Sequence, residues 1–288
     1  MKDRFGLGWR PELAAGILTH LDRIDIVEVI ADDYFDAGRS KRRALKTLAN
    51  QVPVALHGVT LGLASSIPVE LNRLRQTARL VEEIQPEFWS EHLAFVRGGA
   101  IEIGHLAAPP RTAATIDGAA RNLAAANAIV GALPLVENIA TLIDPPGSTL
   151  SEADWTRDIL AAANCELLLD LHNLYANSVN FGFDPYHFID RIPQETIRAI
   201  HLAGGRWINA KASDERRLLD DHLHDVPQAV YDLLEYIGAK TSHPLTVILE
   251  RDGRYPPIEV LLNQLDRARA ALRRGRAKQQ TKAVSEAA

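Results

Sequence analysis

Cysteine is nearly missing from this chain: there is one, Cys165, among 288 residues. That excludes an intrachain disulfide framework and a thiolate zinc site. No apolar run approaches the ~20 residues that a membrane span needs. The opening MKDRFGLGW lacks the apolar stretch of a signal peptide. Neither charge dominates: 32 Lys and Arg stand against 37 Asp and Glu, a formal net charge of −5. That balance argues against a nucleic-acid partner, which usually meets a basic face, and no basic loop laced with aromatics is found. The reading is a soluble, cytoplasmic protein without membrane association. No internal repeat and no break in composition marks a second domain.

What the chain does have is apolar residues, 47% of the total, enough for a large core. Short runs rich in Val, Ile and Leu alternate with amphipathic stretches. The runs have the character of buried parallel strands. Strands are expected at 5–9 and 24–30, and then in runs that end at His57, His92, Glu137, Asp170, His201 and Glu250. Helices are expected at 68–85, 116–130 and 226–237. In the first of these Leu71, Leu74, Ala78 and Val81 recur at helical spacing, and Pro68 suits the first turn. Ser151 with Asp154 reads as a helix-starting cap. Eight strands with helices between them predict an α/β fold, a closed (β/α)8 TIM barrel. It covers 1–272, an ordinary size for a barrel of roughly 250 residues. Residues 273–288, polar and basic at first, read as a disordered tail. A long charged loop is expected at 209–225.

Metal-binding side chains sit where the apolar runs end. His57, His92, Glu137, Asp170, His201 and Glu250 each close a strand. Asp220 and His222 form a D-x-H in the long loop, and Asn173 lies just beyond Asp170. Barrel enzymes collect their catalytic groups from the last residues of several strands. Glu137 shares strand parity with Leu135 and Leu133, Asp170 with Leu168, and Glu250 with Ile248. Each carboxylate therefore points the way the apolar interior residues do. A carboxylate buried there is costly unless a cation accompanies it. Nitrogen and oxygen donors without sulfur suit iron, zinc or manganese. A bridging carboxylate would hold two ions ~3.5–4 Å apart. Around this set, Glu91 reads as orienting His92, and His172, of opposite parity to Asp170, as supporting a ligand. Arg251 and Asp252 read as a structural ion pair. Arg206, Trp207 and Lys211 read as surface residues that could contact a peptide.

The motifs HGVTLGLAS (57–65), WSEHLAF (89–95), LVENIATL (135–142), LLDLHNLYANSVN (168–180), HLAGG (201–205), DDHLHDV (220–226) and LERDG (249–253) run in order through the chain. Together they resemble the multinuclear non-haem iron oxidative enzymes, the family that includes the methanobactin biosynthesis protein MbnB. The resemblance implies a xylose-isomerase-like barrel with two or three irons (Fe2+/Fe3+) and dioxygen as co-substrate. It implies oxidative modification of a ribosomally made precursor peptide, at a cysteine or a carboxylate-bearing residue. Some members need a small partner protein that binds the leader peptide. Carried over residue by residue, His57, His92 and Glu137 hold one iron. Glu137 bridges to a second, bound also by Asp170, His201 and Glu250. Asn173, Asp220 and His222 hold a third. Two positions depart from the family pattern: Gly205, where a histidine is common, and His172, where an asparagine is common.

Two other readings share these donors. A trinuclear zinc hydrolase resembling endonuclease IV would use the same layout, with Asn173 in place of a histidine. A metal-dependent sugar isomerase or epimerase would need only Glu137, Asp170, His201 and Glu250. It would leave His57, His92 and the D-x-H without a purpose.

Overall fold

The computed structural model describes residues 2–98, 101–209 and 216–286. Strand β1 (Arg4–Gly8) leads to helix α1 (Ala14–Thr19), and β2 (Ile26–Ile30) to α2 (Arg39–Ala49). After β3 (Val54–Gly58) comes α3 (Leu71–Ile84). Next are β4 (Trp89–His92), a hairpin of β5 (Phe95–Gly98) and β6 (Ile101–Ala107), and α4 (Ala113–Val130). Then follow β7 (Leu135–Glu137), α5 (Glu152–Ala163) and β8 (Leu167–Asp170), which runs straight into α6 (Leu171–Phe181). The rest comprises α7 (Pro185–Arg191), β9 (Ile197–Leu202), a second hairpin of β10 (Gly205–Asn209) and β11 (Arg216–Asp220), α8 (Gln228–Lys240), β12 (Thr246–Leu249) and α9 (Ile258–Glu286).

Eight strands form a closed barrel in the order β1-β12-β9-β8-β7-β4-β3-β2. These are the eight strands expected from the apolar runs. The two hairpins are additional. The second hairpin takes in Asn209 and Arg216–Asp220 of the expected 209–225 loop, of which residues 210–215 lie outside the described residues. Among the described residues no helix is long and apolar enough to cross a membrane.

The chain divides into two compact units. One comprises residues 25–139 and 143–168. In it β2, β3, β4, β7 and β8 pair in parallel, with His57 opposite Ser90, His92 opposite Glu137 and Glu137 opposite Leu168. Val27, Leu56, Val136 and Leu167 are fully buried in this sheet, and Leu74, Leu123 and Ile159 line the inner faces of its helices. Helix α3 starts at Leu71 with Glu70 at its cap, so Pro68 belongs to the loop before it rather than to its first turn. That loop has a clamp. The amide of Asn122 on α4 donates to the carbonyls of Leu63, Ser65 and Ile67 at 3.0, 3.0 and 3.1 Å, and its oxygen accepts from Val69 N at 3.1 Å. Helix α5 begins as expected, with the Ser151 side chain accepting from Asp154 N.

The other unit comprises residues 1–24, 140–142 and 169–288. Strands β1, β12 and β9 pair in parallel, and Ile248 lies opposite His201. The Glu250 N–H continues that ladder to the Leu202 carbonyl at 2.9 Å. Helices α8 and α9 pack through Val230, Leu234, Leu262 and Leu265, all fully buried. Residues 273–286, expected to be disordered, extend α9 instead. The reason is specific packing that a composition argument does not see. A Cβ at Gly275 would strike the Glu235 carbonyl, so the helices touch backbone to backbone there. Arg276 donates to the Thr241 carbonyl, to the His243 carbonyl at 2.6 Å and to Asp3 at 2.9 Å.

Two outcomes follow. Asn122→Ala leaves several loop carbonyls without their donor, and the expected loss is about 1–3 kcal/mol of stability, read from the denaturant midpoint. Burial pushes the Cys165 thiol up to about 12, so the folded chain should resist iodoacetamide at pH 8 and react once unfolded.

Candidate metal centre

Three buried side chains converge at the ends of β3, β4 and β7. His57 Nε2 lies 3.4 Å from Glu137 Oε2, and His92 Nε2 lies 3.5 Å from the same oxygen. The two imidazoles stand edge to face, with centroids 4.6 Å apart. All three residues are buried, and each offers a ligand atom within 4.8 Å of the others. The parallel register explains the convergence, because it sets the strand ends side by side.

The opposite nitrogen of each ring has its own partner. His92 Nδ1 meets the Gly58 carbonyl at 3.2 Å. A carbonyl only accepts, so Nδ1 donates, and Nε2 is left facing Glu137. His57 Nδ1 meets Ser90 Oγ at 2.8 Å. Metal-binding histidines are usually held in this way. Two imidazole nitrogens and a carboxylate around one point, with no sulfur, fit a divalent cation such as iron or zinc. Ser90 was not singled out in the sequence, although it lies two residues before His92 and so shares its parity. Glu91 lies against His92: its Oε1 accepts from the His92 backbone N–H at 2.9 Å and lies 3.6 Å from the ring Nδ1, and its Oε2 accepts from Leu61 N at 3.2 Å.

The remaining candidates belong to the other unit. Asp170 ends β8 and caps α6, its Oδ1 accepting from Asn173 N at 2.6 Å. Its Oδ2 is also buried. Asn173 is buried in the first turn of the same helix. His201 ends the apolar run of β9 with Nδ1 3.0 Å from Glu250 Oε2, and both residues are buried. The D-x-H is folded back on itself, with His222 Nε2 2.9 Å from Asp220 Oδ2. His222 Nδ1 lies 3.0 Å from Asp252 Oδ2 and 3.7 Å from Glu250 Oε2. His222 holds a positive φ of 53°, a conformation uncommon outside glycine and a local cost that sites of function often bear.

Charge follows from these contacts. Burial would lower the His222 pKa, but Asp220 and then Glu250 raise it well above the ordinary imidazole value. Burial would raise Asp220, but His222 and His172 hold it far below the usual carboxylate range. Without a cation the pair is therefore a carboxylate and an imidazolium. A metal ion held there would take the place of the Nε2 proton.

The residues around these candidates have partners of their own. His172 sits in the first turn of α6, so strand parity does not apply to it. It is fully buried, with Nδ1 2.7 Å from Asp220 Oδ1. Arg251 and Asp252 do not pair with each other: Arg251 meets Asp225 at 3.3 Å, and Asp252 meets Arg10. Trp207 on β10 is exposed beneath the Arg216 guanidinium, and Arg206 pairs with Asp221. Lys211 lies outside the described residues.

Solved structures of similar fold include endonuclease IV from Thermus thermophilus, at a TM-score of 0.60 and 14% identity, covering 94% of this chain and 99% of that one. The 3-keto-D-glucoside 4-epimerase YcjR from E. coli matches at a TM-score of 0.59 and 13% identity, covering 93% and 100%. At such identities the likeness shows the barrel fold alone. Sequence relatives are named UPF0276 protein. One from Streptomyces avermitilis is 35% identical over 274 residues, covering 93% of this chain and 54% of its own length. The chain thus spans about half of that relative. One from Caulobacter vibrioides is 30% identical over 275 residues, covering 95% of this chain and 96% of its own. A family described as RiPP precursor modification enzyme MbnB/TglH/ChrH, acting on ribosomally made peptides, matches residues 4–273. The chain belongs to this MbnB/TglH/ChrH family of precursor modification enzymes.

Proposed function

We propose that this chain is a multinuclear iron enzyme that uses dioxygen to modify a precursor peptide oxidatively, at a cysteine or a carboxylate-bearing residue. The observation that carries the reading is the convergence of His57 and His92 Nε2 on Glu137 Oε2, in a family whose members modify such peptides. These three residues would hold one ion. Asp170, His201 and Glu250, all buried in the other unit, are the candidate set for a second. Asp220, His222 and Asn173 would hold a third. When bound, iron in such a site supplies redox chemistry with dioxygen that no side chain can supply.

The chain's own residues prepare that chemistry. Ser90 and the Gly58 carbonyl hold the His57 and His92 rings so that Nε2 faces inward. The cap made by Asp170 Oδ1 fixes that carboxylate on rigid backbone. Glu91 and Asn122 tie down the 59–70 segment that follows β3. Donors on strand ends with locked partners do not reorganise when ions or substrate bind, and positioning is the protein's main contribution in a cofactor enzyme. A small partner protein that binds the leader peptide belongs to the same proposal.

The epimerase reading has no use for His57 and His92, whose Nε2 atoms face Glu137. The net charge of −5 weighs against a nuclease, whose substrate is a polyanion.

Two experiments test the proposal. The chain should be loaded anaerobically with ferrous ion, then mixed with candidate precursor peptides drawn from its genomic neighbourhood and with dioxygen. Mass spectrometry should show a modified peptide only when iron and dioxygen are both present. Turnover by the zinc-loaded chain, or turnover without dioxygen, would contradict the proposal. Glu137→Ala should lower metal affinity by at least about 100-fold, beyond the range of changes to outer partners, with loss of turnover. Full metal content in that variant would remove Glu137 from the site.

A further inference from the structure

The buried His172 imidazole lies outside the ligand sets, yet it is held as tightly as any ligand. It is 0% exposed, and its Nδ1 lies 2.7 Å from Asp220 Oδ1. The other Asp220 oxygen, Oδ2, lies 2.9 Å from His222 Nε2. Both carboxylate oxygens thus have an imidazole, one from α6 and one from the D-x-H itself. The second His172 nitrogen, Nε2, is buried with no hydrogen-bond partner.

Gly205 explains why that nitrogen has none. A Cβ at position 205 would lie 2.7 Å from His172 Cε1 and 3.1 Å from Nε2, and it would strike the Leu219 carbonyl. The ring therefore rests its Cε1–Nε2 edge against the bare backbone at the start of β10. Residue 205 pairs with Asp220 in the β10–β11 ladder, so one short hairpin carries both the carboxylate and the gap beside it. Leaving a polar nitrogen buried and unsatisfied costs about 1–3 kcal/mol. A residue that only filled space there would be apolar. The polar contact that justifies a histidine is the one to Asp220.

We propose that His172 is a positioning residue for Asp220, orienting that carboxylate to bind a metal ion together with His222, and that Gly205 makes room for it. The proposal rests on the metal-centre reading above. Asp220 sits at the end of a two-stranded hairpin rather than on a barrel strand, so it lacks the rigid support of the other carboxylates. His172 provides that support from the first turn of a buried helix. With Nδ1–H directed to Oδ1, the carboxylate cannot rotate, and Oδ2 stays on the side of His222.

The test is ferrous-ion binding to the full chain without oxygen, by titration with elemental analysis after desalting. Asp220→Ala identifies the ion that depends on the D-x-H. His172→Leu should weaken that same ion about 10–100-fold and leave the others bound. Two further variants separate positioning from packing. Asparagine places an amide near the Nδ1 position and glutamine places one near Nε2. His172→Asn should restore binding, and His172→Gln, although it fills the space better, should not. Thermal melting of the metal-free variants checks that each is folded.

If His172→Leu and His172→Gln bind every ion as wild type does while Asp220→Ala loses one, the positioning role is wrong and the metal centre stands. If Asp220→Ala loses no ion, none is held there and the proposal also falls. Wild type that binds no metal at all would overturn both this proposal and the reading beneath it.

Discussion

A carboxylate at the buried end of an apolar strand is the constraint around which this structure is organised. Glu137 is 1% exposed and ends a strand whose other residues, Leu135 and Val136, are buried. Such a charge is tolerated only where donors or a cation compensate it. Two histidines face it, one from the adjacent β4 and one from β3 beyond it, each with its other nitrogen already engaged. Six of the eight barrel strands carry a His, Asp or Glu at or beside their end, and parallel pairing brings together residues far apart in the chain.

The supporting contacts are as informative as the donors. A histidine that only completed a core could use either nitrogen. Here Ser90 and the Gly58 carbonyl take Nδ1 and turn Nε2 toward one oxygen. Asp170 caps helix α6 with Oδ1, and its Oδ2 is buried as well. His222 adopts a backbone conformation that histidine seldom takes, and both of its nitrogens meet carboxylates. Each arrangement has a local cost, which function at this place would explain.

Much of this was legible in the sequence because burial and periodicity leave strong marks. Short Val, Leu and Ile runs ending in His, Asp or Glu located six of the eight barrel strands and the polar residues at their ends, and the apolar runs at 5–9 and 24–30 located the other two. The Ser151 cap was legible for a similar reason, since it depends on neighbours in the chain. Features that depend on distant contacts were not. The β10–β11 hairpin reads as a charged loop because Arg216, Arg217 and Asp220 hide its alternation. The continuation of α9 through residue 273 depends on Gly275 and Arg276 meeting α8 and the segment after it, which composition does not reveal. The pairings of Arg251 with Asp225 and of Asp252 with Arg10 defeat an inference from adjacency. His172 and Gly205 were visible as separate departures from the family pattern, and only the fold shows that they touch.

Anomalous X-ray diffraction from anaerobically grown crystals, recorded on both sides of the iron and zinc absorption edges, tests the central claim most directly. The account predicts an iron peak within coordination distance of His57 Nε2, His92 Nε2 and Glu137, with at least one further peak beside Asp170, His201 and Glu250. No anomalous density at the three converging side chains, or a zinc signal alone in protein supplied with iron, would contradict it.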